Sequence, residues 1–311
     1  MMQAKLGNRE RLGYRLRQYW PAYLLLLPVV LWYLIFCYAP MGGLTIAFKK
    51  YSVMKGIWAS PWIGLKNFNR LFSSPSFLQA VWNTLIFSGL NFVFGFPLPI
   101  IFAILLNEMP YLRFKKVVQT VSYLPHFISW SVAGGLVYML LSPSTGAIAA
   151  LVRAMGGTPQ NYIGISRYFR PIVVVSDIWK NIGWSAIIYI AAISSVDEQL
   201  YEAALIDGAG RFARIWHVTL PGIRGIISIQ IILTVSKILN VSFSQIFVLI
   251  SDLTLDVGET IDYYVYRVGL GSTNNMALGT ASGMLKSVIG LVLIVVTNYV
   301  SRKLTDGEGI W

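Results

Sequence analysis

Glu202-Ala203-Ala204-Leu205-Ile206-Asp207-Gly208-Ala209, closed downstream by Leu220-Pro221, decides how the rest of this chain is read. The stretch lies between two long apolar runs, 171–193 and 226–250. Glu202, Ala203, Ala204 and Leu205 are good helix formers. Asp197 is a candidate cap, and Asp197 and Glu198 place negative charge where a helix starts. Gly208 and Gly210 permit a sharp turn. A second short helix is expected over 212–218, ended by Pro221. The loop 195–224 therefore reads as helix, glycine turn, helix, lying along a membrane surface and presenting charge and small residues to a soluble partner.

Working outward, the composition is that of a membrane protein. Of 311 residues, 56% are hydrophobic and 12% charged, whereas a soluble domain carries about twice that charged fraction. A bilayer crossing needs about 20 apolar residues. Six runs qualify: 23–39, 78–106, 117–141, 171–193, 226–250 and 280–300. Hydrocarbon offers no partner to a backbone amide, so each run is expected to be helical. The alternation of a membrane barrel is absent. The expected class is an all-α membrane protein of six transmembrane helices, with segment 1–20 as an amphipathic lead, 21–303 as the membrane domain and 304–311 as a tail. In the lead, Arg11, Arg15 and Trp20 with Leu12 and Leu16 suit a short interfacial helix. The first run is too long, and lacks the following small-residue site, for a cleaved signal.

Orientation follows from lysine and arginine. With the N-terminus inside, thirteen fall in inner segments and nine in outer ones, five of the nine in the first outer loop. This modest bias, with the cluster before the first span, places both termini and the Glu202 loop in the cytoplasm. The outer loops are rich in Gly, Pro and aromatics, which suits folded loops at an interface. The formal charge of +12 is explained by anionic lipid heads; no basic soluble surface is long enough for nucleic acid. Cys37 is the single cysteine, and His126 and His217 are far apart, so neither a disulfide nor a metal site is expected. The phosphate-binding pattern Gly-x-x-x-x-Gly-Lys-Ser/Thr is absent, and no nucleophile–base pair is visible. The chain reads as a non-enzyme that binds no cofactor, its energy coming from elsewhere.

The Glu202 stretch resembles the cytoplasmic signature of bacterial ABC importer permeases: Glu-Ala-Ala, three residues, Gly, then nine residues before Ile-x-Leu-Pro. Here Glu202-Ala203-Ala204 precedes Gly208, and Val218-Thr219-Leu220-Pro221 follows at that spacing, with Val218 for Ile. A finer resemblance covers nearly the whole chain. Tyr38–Gly43, Ala47-Phe48-Lys49, Ser60–Phe68, Trp179–Trp184 and Tyr264–Arg267 look like the polysaccharide- and oligosaccharide-uptake subgroup, similar to maltose-type permeases. Ser244, where an acidic residue is expected, and Lys237, where a small one is usual, depart from it. The resemblance implies the importer permease fold and a coupling helix carrying Glu202, Ala203, Ala204, Asp207, Gly208, Ala209, Leu220 and Pro221. It also implies a second similar permease, two ATP-binding subunits that hold the ATP and magnesium, an external solute-binding protein, and an oligosaccharide as cargo. A permease for a non-sugar solute is the alternative. An ion-driven transporter fits less well, since the only carboxylate within a span is Asp177 and no internal repeat is evident.

Polar groups within spans are costly and mark a substrate path. Gln230, Thr234, Lys237 and Ser244 step by four, three and seven, which is one face of a continuous fifth helix, with Asn240 and Gln245 at its edge. The alternative is a polar seam between helices. In the fourth span Asp177, Lys180 and Trp184 share a face, with Trp179 and Asn181 adjacent. They suit either a self-neutralising Asp177–Lys180 pair or a sugar site in which an indole stacks on a pyranose while Asn and Lys bind hydroxyls. Lys180, Lys237 and Lys286 against Asp177 would favour an anionic sugar such as a uronate.

Overall fold

The computed structural model describes residues 18–271 and 274–304, and among these the regular secondary structure is helical apart from one isolated bridge between Lys49 and Trp62. The expected interfacial helix around Arg11 and Arg15 lies outside these residues, as does most of the 304–311 tail.

The first helix, α1, runs Trp20–Phe48. Its apolar residues point outward on every side, and only its end at Ala47 is buried, against α2 (Lys66–Phe72) and the last helix. By length and composition it is a candidate membrane span. The second long helix, α3, is Pro75–Asn107. Ser74 caps it by accepting from the amide of Phe77, and Pro75 follows in the first turn, where a missing N–H costs nothing. A π-helical turn at Asn91–Gly95 interrupts it.

The expected third span is two helices, α4 (Leu112–Phe127) and α5 (Trp130–Leu141), bent by 108°. Ile128 is extended and Ser129 caps α5 through the amide of Val132, so the chain restarts rather than continues. A short helix, α6 (Ala147–Ala154), leads to α7, Ser166–Ser194, which is 29 residues long and packs against α3 and α4. Then come α8 (Glu198–Ile206) and α9 (Arg211–Gly222), followed after a 64° bend by α10 (Arg224–Ser236).

Here the structure corrects the sequence reading. The fifth span is not one helix over 226–250. It ends at Ser236, passes through an irregular segment and resumes as α11, Phe243–Leu249, capped by Ser242 through the amide of Gln245. Ser88, from α3, donates to the carbonyl of Ile238 within that segment. The helices α12 (Leu255–Gly258) and α13 (Ile261–Gly269) precede α14, Met276–Leu304.

By length and composition three helices, α1, α3 and α14 up to Val296, are able to cross a membrane, or up to five if each bent pair forms one span. The polar residues Asp177, Lys180 and Asn181 lie midway along α7. Three apolar clusters hold the bundle. One gathers Phe87, Phe169, Val173, Ile246 and Leu249; another gathers Leu71, Phe77, Tyr264 and Ala281; the third gathers Ile104, Ala186, Tyr189 and Ile223. At Gly183 the approach of α4 to α7 is so close that an added Cβ would overlap the carbonyl oxygen of Ser122. Small residues allow such backbone proximity between membrane helices.

Candidate functional site: a polar cavity and an exposed helical loop

A cavity of about 560 Å³ opens between the π-turn of α3, the middle of α7 and the end of α10. Asn91 and Phe96 come from α3, Asp177, Asn181 and Trp184 from α7, and Gln230, Thr234 and Lys237 from α10. Asp177, Asn181 and Trp184 recur at helical spacing and so share one face.

The α7 wall is ordered by a chain of bonds. Asn181 donates through Nδ2 to Asp177 Oδ1 at 2.9 Å, and its Oδ1 meets His126 Nδ1 at 3.0 Å. An ionised carboxylate only accepts, so Asn181 turns its amide nitrogen to Asp177 and its oxygen to His126. His126 Nδ1 therefore carries the proton. The His126 ring stacks on Trp184, with centroids 4.6 Å apart and planes 2° apart. Lys180 Nζ donates to the His126 carbonyl at 2.7 Å and lies 5.6 Å from the Trp130 ring centroid. On α3, Asn91 Oδ1 is buried and has no hydrogen-bond partner among the described residues.

Of the residues expected on the path, Asn181, Trp184, Thr234 and Lys237 meet at this cavity. Five do not. Trp179 faces apolar grooves on the other side of α7. Lys180 is buried on the His126 carbonyl, and it closes no ion pair with Asp177. Asn240 lines a separate cavity beside Lys286. Ser244 is exposed on α11, away from the cavity. Gln245 is buried, donating to the Val173 carbonyl at 2.7 Å and Ser176 Oγ at 3.1 Å. The last three were expected on a helical face that the break after Ser236 abolishes. Lys286 is also accounted for, since its Nζ lies 2.7 Å from both carboxylate oxygens of Asp262. Asn91 and His126 are site residues that the sequence reading passed over. An Asn within an otherwise apolar run is the signal that marks the first; nothing in the sequence pairs His126 with Trp184.

The Glu202 loop forms the second candidate region. Asp197 caps α8 by accepting from the Gln199 amide at 3.0 Å. The helix ends at Asp207, where Gly208 takes φ +77° and the Ala209 amide returns to the Ala204 carbonyl at 2.8 Å. That is the left-handed glycine stop expected of the motif. No residue of α8 is buried. Ile206, Phe212 and Trp216 are 87%, 89% and 69% exposed. Behind them, Tyr201 bonds Thr219 at 3.0 Å, and Gly222 lies against Val196, tying the loop to the bundle.

The bundle thus combines three to five candidate membrane spans, a polar cavity and an exposed loop tipped with apolar side chains. Residues 95–306 match the family described as binding-protein-dependent transport system inner membrane component, and the chain belongs to that family. The polygalacturonan/rhamnogalacturonan transport system permease protein YteP of Bacillus subtilis (strain 168) is 41% identical over 307 residues, covering 99% of this chain and 95% of the relative. Protein LplB of the same strain is 40% identical over 289 residues, covering 93% and 90%. A crystal structure of a bacterial ABC transporter involved in the import of the acidic polysaccharide alginate contains a chain that superposes with a TM-score of 0.88 at 40% identity. The match covers 95% of this chain and 100% of that one. The chain is an ABC importer permease of the polysaccharide and oligosaccharide uptake group, a transport component and not an enzyme.

Proposed function

We propose that this chain forms one half of the membrane passage of an ATP-driven importer that carries an oligosaccharide into the cytoplasm. The observation that carries the reading is the cavity. It offers an indole braced by an imidazole, two side-chain amides, a carboxylate, a hydroxyl and an ammonium group. That is the mixture a pyranose needs, with one flat apolar face and a rim of hydroxyls. The relatives named for polygalacturonan, rhamnogalacturonan and alginate transport favour a polysaccharide-derived cargo.

The finer organisation follows from this reading. The chain crosses the membrane six times, with α7 as a span whose polar middle lines the path, and both termini are cytoplasmic. The membrane domain covers 21–303. A second permease faces the cavity, and a solute-binding protein delivers the sugar from outside. Two ATP-binding subunits hold ATP and magnesium and receive α8 and the turn at Gly208. The exposed Ile206, Phe212 and Trp216 give that contact an apolar centre. This chain supplies the lever: α8 is tied to α9 through Tyr201–Thr219, and α9 leads into α10, which ends at the cavity.

The test is purification from native membrane, with partners identified by mass, followed by uptake of labelled oligosaccharides into vesicles. Uptake that requires ATP and the co-purified ATPase is expected. Uptake by this chain alone, driven by an ion gradient, would overturn the reading.

A further inference from the structure

The sequence places three lysines within spans, and the structure gives two of them partners. Lys180 is held by the His126 carbonyl and Lys286 by the Asp262 carboxylate. Lys237 is different. It is exposed at the cavity, and its ammonium has neither a carboxylate within 4.0 Å nor a hydrogen-bond acceptor among the described residues. An ammonium inside a membrane is costly without an anion or water around it. The bland role, capping the end of α10, is already filled. The carbonyls of Thr234, Val235 and Lys237 accept from the backbone amides of Lys237, Ile238 and Asn240.

A second group in the same cavity is also unfulfilled. Asp177 presents acceptors, with only Asn181 donating to it among the described side chains. Lys237 thus lacks a direct anionic partner, and Asp177 lacks hydroxyl donors. A neutral sugar meets only the second need. A simple carboxylate meets only the first. One pyranose bearing both a carboxylate and ring hydroxyls meets both.

We propose that Lys237 selects an anionic, uronate-type sugar residue by pairing with its carboxylate, while Asp177 accepts from its hydroxyls. The inference rests on the oligosaccharide reading above and adds the residue that reads the charge of the cargo. A charge-assisted hydrogen bond contributes about 1.5–3 kcal/mol, so its loss is worth about tenfold or more in selectivity.

The experiment compares an oligouronate with the neutral oligosaccharide of the same length and linkage. Uptake of each is measured in vesicles holding the complete importer, as wild type, Lys237→Gln and Lys237→Arg. The expected result is a wild-type preference for the uronate that falls about tenfold in Lys237→Gln and is largely restored in Lys237→Arg. A preference unchanged in Lys237→Gln, or an equal loss for both sugars, overturns the assignment while leaving the oligosaccharide reading intact. Wild-type complex that carries neither sugar overturns both.

Discussion

The imidazole of His126 lies flat against the indole of Trp184, 4.6 Å away and within 2° of parallel, although 58 positions separate them along the chain. The same imidazole holds the Asn181 amide that orients Asp177. One ring thus fixes both the apolar platform and the polar rim of the cavity wall. His126→Ala removes the brace and leaves the Asn181 oxygen without its donor, but keeps the backbone carbonyl that holds Lys180. The stacking and hydrogen bond are together worth about 1–2 kcal/mol. We expect a rise of about 5- to 30-fold in the apparent KM for sugar uptake, with complex assembly retained. An unchanged KM would show that Trp184 needs no brace.

Gly183 sets how close α4 and α7 come. A methyl group there meets the Ser122 carbonyl, which belongs to backbone and cannot rotate away. Gly183→Ala forces the two helices apart, at about 1–3 kcal/mol by analogy with overpacked cores. The expected readout is a lower melting temperature of the detergent-solubilised complex. Gly225, with open space around it, is the control. Gly225→Ala is expected to leave melting within error, and equal shifts in the two variants would refute the close-approach argument.

How much of this was legible before the structure depends on the kind of signal. The α8 cap at Asp197 and the left-handed stop at Gly208 are local, set by a few adjacent residues, and the motif reports them directly. The face expected for Asp177, Lys180 and Trp184 was legible in part: Asp177 and Trp184 line the cavity together with Asn181, whereas Lys180 is buried on the His126 carbonyl. The fifth span was misread because hydropathy is blind to a break that remains apolar. The clue was Ser242-x-x-Gln245, a helix-start pattern in the middle of the run. Trp179 and Lys180 fall outside the cavity for another reason. One turn of α7 serves two surfaces, and only the packing of α4 and α5 decides which side is buried. The pairing of His126 with Trp184 is long-range information that no local pattern holds, whereas Asn91 is marked by its place in an apolar run.

Gln245 shows what separates a core polar group from a path residue. Its amide is buried and both of its bonds go to α7. Gln245→Ala leaves the Val173 carbonyl and Ser176 without that donor, at about 1–3 kcal/mol. Stability is expected to fall while the uronate-to-neutral preference is kept. A changed preference with unchanged stability would return Gln245 to the sugar path.

The Asp262–Lys286 pair links α13 to α14 beside the cavity that Asn240 lines. It is partly buried, so its worth lies between that of an exposed pair and a fully desolvated one. Asp262→Asn leaves a lysine ammonium without its carboxylate and is expected to cost about 1–3 kcal/mol in the melting of the complex. Asp262→Asn combined with Lys286→Gln removes both charges and is expected to recover part of that loss. A double variant less stable than Asp262→Asn alone would mean that each side chain has further partners.

Gly208 is the one position of α8 and its turn where backbone geometry, not space, forbids substitution. Nothing lies within 4 Å of an added Cβ, yet φ is +77°. A β-branched residue in the left-handed region costs about 1–2 kcal/mol, whereas Asn tolerates it better. Gly208→Val relieves that strain by opening the turn, which moves the Ala209 amide off the Ala204 carbonyl and tilts the tip of α8. Because the cavity lies elsewhere, sugar affinity is expected to persist while transport per ATP hydrolysed falls several-fold. Gly208→Asn should lie between Gly208→Val and wild type. The measurement is the ratio of labelled sugar accumulated to phosphate released in vesicles. If Gly208→Val kept the wild-type ratio, rigid transmission through this turn would be refuted, and the exposed Ile206, Phe212 and Trp216 would have to carry the coupling without it.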